Sequence, residues 1–381
     1  VAPLGTIFMR LLKMIIVPLI IFSITSGVAS LGDSKTLGRM GAKTFGYYFL
    51  TSILAILVGL TLTNLIKPGV GIELSGIGGD FDPATLHKPD SLGGILIRMI
   101  PLNPIRAAVE GDMLGIIFWS ILFGFSITRL SGKPQEFLTN FFDYGFKAMM
   151  KLTQGIIALL PIGVFGLITT AIANSGLDIF KAVGKYMITI TIGLSIHFLV
   201  ILPLIFFIFT KINPIKHWKA MASAFATAFS TSSSGATLPV TINCVENNAG
   251  VSNRTTSFVL PLGATINMDG TALYECAGVL FISQALGIDL TLSQQVVVVL
   301  TAFLASVGAA AIPSAGLVMI FIVLDAVGLG NHPGAAVIVG TMLAVDRPLD
   351  MFRTMVNVTS DSIGAVIVAK SEGETNLYSE K

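Results

Sequence analysis

Asp346-Arg347-Pro348-Leu349-Asp350-Met351-Phe352-Arg353-Thr354-Met355-Val356-Asn357-Val358-Thr359-Ser360-Asp361 is the stretch whose reading decides the fold of this chain. Asp346, Asp350, Arg353, Asn357 and Asp361 follow one another at steps of four, three, four and four residues. At about 100° per residue they line one face of an α-helix. Residues 333–369 are otherwise apolar enough to cross a membrane. Ionisable groups within a bilayer are costly, face a protein interior and mark an ion or substrate path. The stripe therefore points to an all-α, polytopic membrane protein that handles a polar solute.

Composition agrees. Of 381 residues, 53% are hydrophobic and 12% charged, against about 25% charged in soluble domains. Mean hydropathy is +0.85. Half the usual charge over this length implies many spans of about 20 apolar residues each. The 39 glycines suit closely packed membrane helices. A net charge of +2, with no basic patch interleaved with aromatics, leaves no case for a nucleic-acid partner. Cys244 and Cys276 have neither metal-ligand nor disulfide-framework spacing and read as reduced, membrane-buried thiols. His197 sits in an apolar run and reads as a packed helix residue. The chain starts at Val1 without a cleavable signal and reads as trimmed at its start, by up to one span.

Apolar runs near 8–31, 41–66, 94–129, 144–174 and 181–210 predict five spans, the third broken around Pro101, Asn103 and Pro104. Basic connections at 32–43, 129–151 and 211–219 are expected on the cytoplasmic side, and the acidic segment 68–93 outside. Beyond residue 217 two apolar segments are too interrupted to span simply. One breaks at Ser230-Thr231-Ser232-Ser233-Ser234-Gly235. The other breaks at Ser306-Val307-Gly308 and Ile312-Pro313-Ser314-Ala315-Gly316. A long segment with a polar centre follows each, at 253–286 and 333–369. Paired interruptions of this kind point to a binding site at the membrane midplane.

Three constellations carry the chemistry. On the final stripe Arg353 offers a planar fork for a carboxylate, and Asp350, one turn away, can accept from an ammonium. Read as a packing ladder only, the stripe has three acids to one arginine, and that excess favours cation binding. In Gly263-Ala264-Thr265-Ile266-Asn267-Met268-Asp269-Gly270-Thr271, Asn267 and Asp269 are two apart and cannot converge from a regular helix. Flanking glycines suggest unwinding, which would free carbonyls for a hard-oxygen site of the kind sodium takes. Asn267, Thr271 and Glu275 then share a face. Glu275 is either a proton carrier or the ion-pair partner of Arg353. Tyr48, Thr51 and Ser52 share a helix face, a weak signal alone. Asp325 reads as an interfacial charge.

With these residues in hand, the chain resembles the glutamate transporter family of dicarboxylate/amino acid:cation symporters. The likeness rests on Ser232-Ser233-Ser234 before Thr237-Leu238-Pro239, Asn267-Met268-Asp269-Gly270-Thr271, the hairpin around Pro313, and Asp350 through Val358 with Asp361. The resemblance implies the glutamate transporter fold, with inverted repeats and two re-entrant hairpins at about 217–249 and 290–327. It implies a homotrimer in the plasma or inner membrane. Residues 1–31 and 68–174 would form a scaffold, 41–66 and 181–369 a moving transport domain, and 370–381 a cytoplasmic tail.

Carried over by position, Arg353 would hold the substrate's side-chain carboxylate and Asp350 its amino group. Asn357 and the Ser232–Ser234 tip would hold the α-carboxylate, with Thr271, Thr354, Ile312 and Gly316 nearby. Sodium ligands would be Asp361, Asn267 and the Gly263 and Asn357 carbonyls at one site. A second would use Asp269, Tyr48, Thr51, Ser52 and Asn267, and a third the Thr265 carbonyl with Ser306. Archaeal relatives carry arginine at the Ser232 position and animal ones at Met351. This chain has neither, and Arg347 is the candidate replacement. Glu275 matches the animal branch, where it is linked to proton co-transport and potassium counter-transport. These features imply sodium-coupled symport of aspartate or glutamate. A C4-dicarboxylate or neutral amino acid symporter, or an anion channel or receptor of the same fold, is the alternative. No enzyme pattern appears in the spans.

Overall fold

A computed structural model describes residues 2–29, 35–71, 97, 100–110, 112–159, 161–163, 165, 166, 169, 172, 178–307 and 315–378. Its first helices are α1 (Ala2–Ala29), α2 (Lys35–Ile66), α3 (Pro104–Glu110), α4 (Met113–Thr128) and α5 (Lys133–Ile157). Next, α6 (Asp178–Ile196) runs through a π turn (His197–Ile201) into α7 (Leu202–Thr210). Two hairpins alternate with two long segments: α8 (Pro214–Thr231) and α9 (Ser234–Asn247), then α10 (Asn253–Ile266) and α11 (Asp269–Ala285). They continue as α12 (Leu292–Val307) and α13 (Ala315–Ala326), then α14 (Pro333–Ser371). No strand occurs among the described residues.

Local signals explain where these elements begin. The Asn213 side chain accepts from the Ile215 N–H at 2.9 Å, with Pro214 in the first turn of α8. Ser252 caps α10, and His332, followed by Pro333, caps α14. In α3 the Asn103 Oδ1 accepts from the N–H groups of Ile105 and Arg106 at 2.9 and 3.1 Å. The third span is therefore broken where its prolines foretold. Two boundaries differ from the hydropathy reading: α2 begins at Lys35 and α5 at Lys133, inside stretches read as basic loops. The reason is visible in α5, which carries its charges on one solvated face, with Lys147 paired to Asp143 at 2.6 Å. The acidic segment 68–93 lies almost wholly outside the described residues.

Every residue of α11 except Gln284 is buried, the polar Asp269, Thr271, Glu275 and Ser283 included. It packs against α2, α6, α12, α13 and α14, while α8 and α9 lie on α14. On the other side of the molecule α1 packs against α4 and α5. Outward faces are apolar: Ile188, Leu199, Phe207 and Phe209 on the α6–α7 stack are about half exposed or more, a surface suited to lipid. Among the described residues, 39–66 and 183–210 are helices long and apolar enough to cross a membrane, with mean hydropathies of 2.1 and 2.6.

The segment after α14 folds back. Glu372 pairs with Arg39 and, at 2.6 Å, with Lys43. Glu374 accepts from the Ser252 N–H at 2.8 Å and from the Ser252 and Thr255 hydroxyls. The Tyr378 hydroxyl meets His217 Nδ1 at 2.6 Å. These contacts gather the starts of α2, α8 and α10 at one end of the molecule. Two of the three basic segments expected on one side of the membrane thus lie together there.

Candidate substrate and cation site

The stripe on α14 is continuous and faces inward: Asp346, Asp350, Arg353, Asn357 and Asp361 are all buried. Arg353 Nη2 donates to Asp350 Oδ1 at 2.7 Å and, more weakly, to Asp346 Oδ1 at 3.4 Å. Its guanidinium carbon sits 3.8 Å from the centre of the Tyr274 ring of α11, a cation–π contact. Among the described residues Nε and Nη1 have no hydrogen-bond partner. Gly316, at the start of α13, lies so close that a Cβ there would collide with Nη1. Buried donors left open are rare in proteins. Of the two, Nη1 lies at the point where the second hairpin meets α14, against Gly316.

The expected interruption of the 253–286 segment is present but smaller than the glycines suggested. Only Asn267 and Met268 leave helical geometry, at φ −102° and −125°. Gly263 and Gly270 serve close approach instead. A Cβ on Gly263 would lie 2.5 Å from Asp361 Oδ1 and 2.6 Å from the Tyr48 hydroxyl; one on Gly270 would lie 2.8 Å from the Arg353 carbonyl. Across the break, Asn267 Nδ2 donates to Asp361 Oδ1 at 2.9 Å and to Ser360 Oγ at 3.0 Å. The Asn357 carboxamide oxygen accepts from the Gly270 N–H at 2.8 Å, and its nitrogen reaches Thr271 Oγ1 at 3.3 Å. Asn357 thus holds the beginning of α11 against α14.

Asp269 is fully buried, and α2 supports it. Its Oδ1 accepts from Ser52 at 2.7 Å and Thr51 at 3.2 Å. Ser360 Oγ reaches Thr51 Oγ1 at 3.4 Å, so Asp269, Thr51, Ser360, Asn267 and Asp361 form one chain of contacts. Tyr48 belongs to the Asp361 end, donating to the Val259 carbonyl at 2.9 Å near Gly263. The weak Tyr48-Thr51-Ser52 signal therefore lies against both acids. Oxygens of carboxylates, hydroxyls and carbonyls dominate here, a hard donor set suited to alkali cations.

Glu275, also fully buried, makes no hydrogen bond through either carboxyl oxygen among the described residues. Among the described residues Arg353 pairs with Asp346 and Asp350, not with Glu275. At the first hairpin tip Ser232 takes a left-handed conformation at φ 52°, and Ser233 caps α9 by accepting from the Ala236 N–H at 3.1 Å. Ser232 and Ser234 are both buried. The Thr354 hydroxyl donates to the Asp350 carbonyl at 2.9 Å. Ser306 is buried, bonding within α12 to the Phe303 carbonyl, whereas the Thr265 side chain is exposed and bonds to the Leu262 carbonyl. Ile312 falls outside the described residues. Arg347 is exposed on α14, so it does not fill the place of the arginine absent at Ser232 and Met351.

Three contributors were not foreseen. Tyr274 neighbours Glu275 and Ser360 neighbours Asp361, so each lay within reach of a sequence signal. His197 lay beyond any: its Nε2 is 3.1 Å from Asp269 Oδ2, across 72 residues of chain.

Two re-entrant hairpins, an interrupted helix and a buried guanidinium among acids define a membrane symporter of charged solutes. The model of the sodium:dicarboxylate symporter family matches residues 1–371. The chain belongs to that family and is a multi-pass membrane protein. It is 39% identical to excitatory amino acid transporter 3 of Mus musculus, covering 96% of this chain and 78% of that protein. An excitatory amino acid transporter of Caenorhabditis elegans is 38% identical, with 96% and 80% covered. Excitatory amino acid transporter 2 of Mus musculus is 36% identical, with 97% and 74% covered.

Proposed function

We propose that this chain couples inward movement of sodium to uptake of an acidic L-amino acid, aspartate or glutamate. The observation that carries the reading is the buried Arg353 guanidinium, with Nη2 on Asp350, Nη1 against Gly316 of the second hairpin, and neither Nη1 nor Nε bonded among the described residues. Arg353 holds the substrate's side-chain carboxylate bidentately, and Asp350 receives its ammonium. Asn357, Thr271 and Thr354 flank it with neutral polar groups. The names of the similar transporters and of the family support both the amino acid and the sodium.

Coupling follows from charge. Asp346 and Asp350 pair with the one buried arginine and Asp269 and Asp361 lie buried nearby, so acids outnumber it and an incoming anion is repelled until cations neutralise the excess. Asp269 with Thr51 and Ser52, and Asp361 with Asn267 and the Gly263 carbonyl, take those sodium ions. Ser306 and the Thr265 carbonyl belong to a third position. Glu275 carries a proton across with the substrate, and potassium returns in the empty state. α1 and α3–α5 act as the trimeric scaffold, and the remainder moves as one body whose first hairpin opens inward and second outward. That α1 packs mainly on α4 and α5 supports this division.

The family description also names dicarboxylates, which keeps a C4-dicarboxylate substrate as the second reading. Competition decides between them: labelled aspartate uptake in proteoliposomes is measured against excess L-glutamate, succinate and L-serine. Inhibition by L-glutamate alone is expected. Stronger inhibition by succinate than by L-glutamate moves the substrate to the dicarboxylates.

A further inference from the structure

Between α6 and α7 the chain makes a π turn, His197–Ile201, in which the Leu202 N–H bonds to the His197 carbonyl. The buried face running up α6 through Tyr186, Ile190 and Leu194 reaches His197 at regular steps of three or four, then continues at Leu202 and Phe206. Five residues separate His197 from Leu202. In an uninterrupted α-helix they would point about 140° apart. The wider turn keeps both inward, so the backbone departs from α geometry at the residue that reaches Asp269. Single π turns inside α-helices concentrate at functional sites.

At its inner end His197 is fully buried, with Nε2 at 3.1 Å from Asp269 Oδ2. A carboxylate oxygen only accepts, so Nε2 carries the hydrogen. Ser52 and Thr51 fix the other oxygen, Oδ1, from α2. The carboxylate is thus gripped from two helices, one oxygen each, and its plane is set. We infer that His197 is a positioning residue for cation binding: through Nε2–H it holds Asp269 so that the carboxylate presents itself to an alkali ion beside Thr51 and Ser52. Donors outside the ligand shell commonly tune cation affinity by about 10–100-fold in metal sites. The inference rests on the reading of Asp269 as a sodium ligand.

The test compares His197→Gln with His197→Asn. A glutamine amide nitrogen can occupy the place of Nε2, whereas an asparagine amide ends near Nδ1 and cannot reach Asp269. The readout is the sodium concentration giving half of the sodium-induced rise in melting temperature, in detergent and without amino acid, with choline as the control salt. His197→Asn is expected to raise that concentration about tenfold, and His197→Gln to stay within about threefold of the parent. The melting temperature in choline separates a general loss of stability, which lowers it without moving the sodium midpoint. An unchanged midpoint in His197→Asn, or an equal loss in both variants, overturns the positioning role. If His197→Asn does not fold, the Gln variant decides alone: a tenfold shift there overturns the inference. Absence of any sodium-induced rise in the parent protein counts instead against the sodium reading itself.

Discussion

Arg353 Nη2 and Asp350 Oδ1 are 2.7 Å apart on one helix face, and both residues are buried. The contact uses Nη2 and leaves Nη1, against Gly316, without a partner among the described residues. Truncating one member of a buried charged pair typically costs about 2–5 kcal/mol of binding. Arg353→Ala is therefore expected to weaken aspartate uptake at least about thirtyfold, measured as the substrate concentration for half-maximal uptake at saturating sodium. Arg353→Lys should rescue only partly, because a point charge cannot make two parallel bonds to a carboxylate. Equal affinity for aspartate in the parent and Arg353→Ala proteins contradicts the assignment.

Ser52, at 2.7 Å, and Thr51, at a longer 3.2 Å, hold Asp269 through hydrogen bonds to a single oxygen. Such bonds to a charged group contribute about 1.5–3 kcal/mol. Ser52→Ala should raise the sodium concentration for half-maximal uptake by about tenfold or more, with little change in the maximal rate. Titrating sodium at fixed aspartate checks this; a changed rate with an unchanged sodium midpoint contradicts it.

Gly263 lies where α10 passes Asp361 and the Tyr48 hydroxyl at distances that no Cβ tolerates, 2.5 and 2.6 Å. Gly263→Ala must push Asp361, Tyr48 or the helix itself aside, at about 1–3 kcal/mol for overpacking. The variant is expected to lose sodium-dependent uptake while still assembling in the membrane. Size-exclusion chromatography in detergent and an uptake assay together test this, and parental sodium dependence in the variant argues against an Asp361–Gly263 cation site.

Glu275 is buried and, among the described residues, has no hydrogen-bond partner to lose. Glu275→Gln is nearly isosteric, so the melting temperature should hold within about 2 °C. Sodium-dependent exchange of labelled for unlabelled aspartate should persist, while substrate-driven proton flux, followed with a dye inside the liposome, should disappear. Unchanged proton flux refutes the carrier role.

Past the end of α14, the Glu372 carboxyl is held down at about 2, from an ordinary 4.5, by Arg39 and Lys43. A depressed carboxylate stabilises the folded state above its unfolded pKa and ceases to do so as pH falls through the folded one. The window is therefore about pH 4.5 down to about 2. Glu372→Gln should melt a few degrees lower than the parent at pH 7, and the gap should narrow on acidification through that window. A gap independent of pH, or widening in acid, contradicts an ion-pair role for the tail.

Much of this site was legible because its residues lie on local repeats. The steps from Asp346 to Asp361 alone fixed a helix face, and the structure buries that face as one piece. The interrupted hairpins were visible from Ser232–Gly235 and Ser306–Gly316, since polar and small residues interrupt otherwise apolar runs. Less was legible where the chemistry is assembled across the chain. Thr51 and Ser52 meet Asp269 only through the packing of α2 on α11, and hydroxyls in apolar helices usually bond to their own backbone. The choice between Glu275 and the acids of α14 as partner for Arg353 depended on side-chain direction, which spacing does not set. Arg347 was misjudged for the same reason, being one residue off the buried stripe. Helix starts at Lys35 and Lys133 were missed because hydropathy sums the two faces of an amphipathic helix.

The account turns on cations having to neutralise the buried acids before an anionic amino acid can bind beside Arg353. Purified protein in liposomes, given labelled L-aspartate with an inward sodium gradient, tests this against the same vesicles with choline replacing sodium. Concentrative uptake that collapses in choline, and that Arg353→Ala removes, is the expected result; equal accumulation with and without sodium would contradict it.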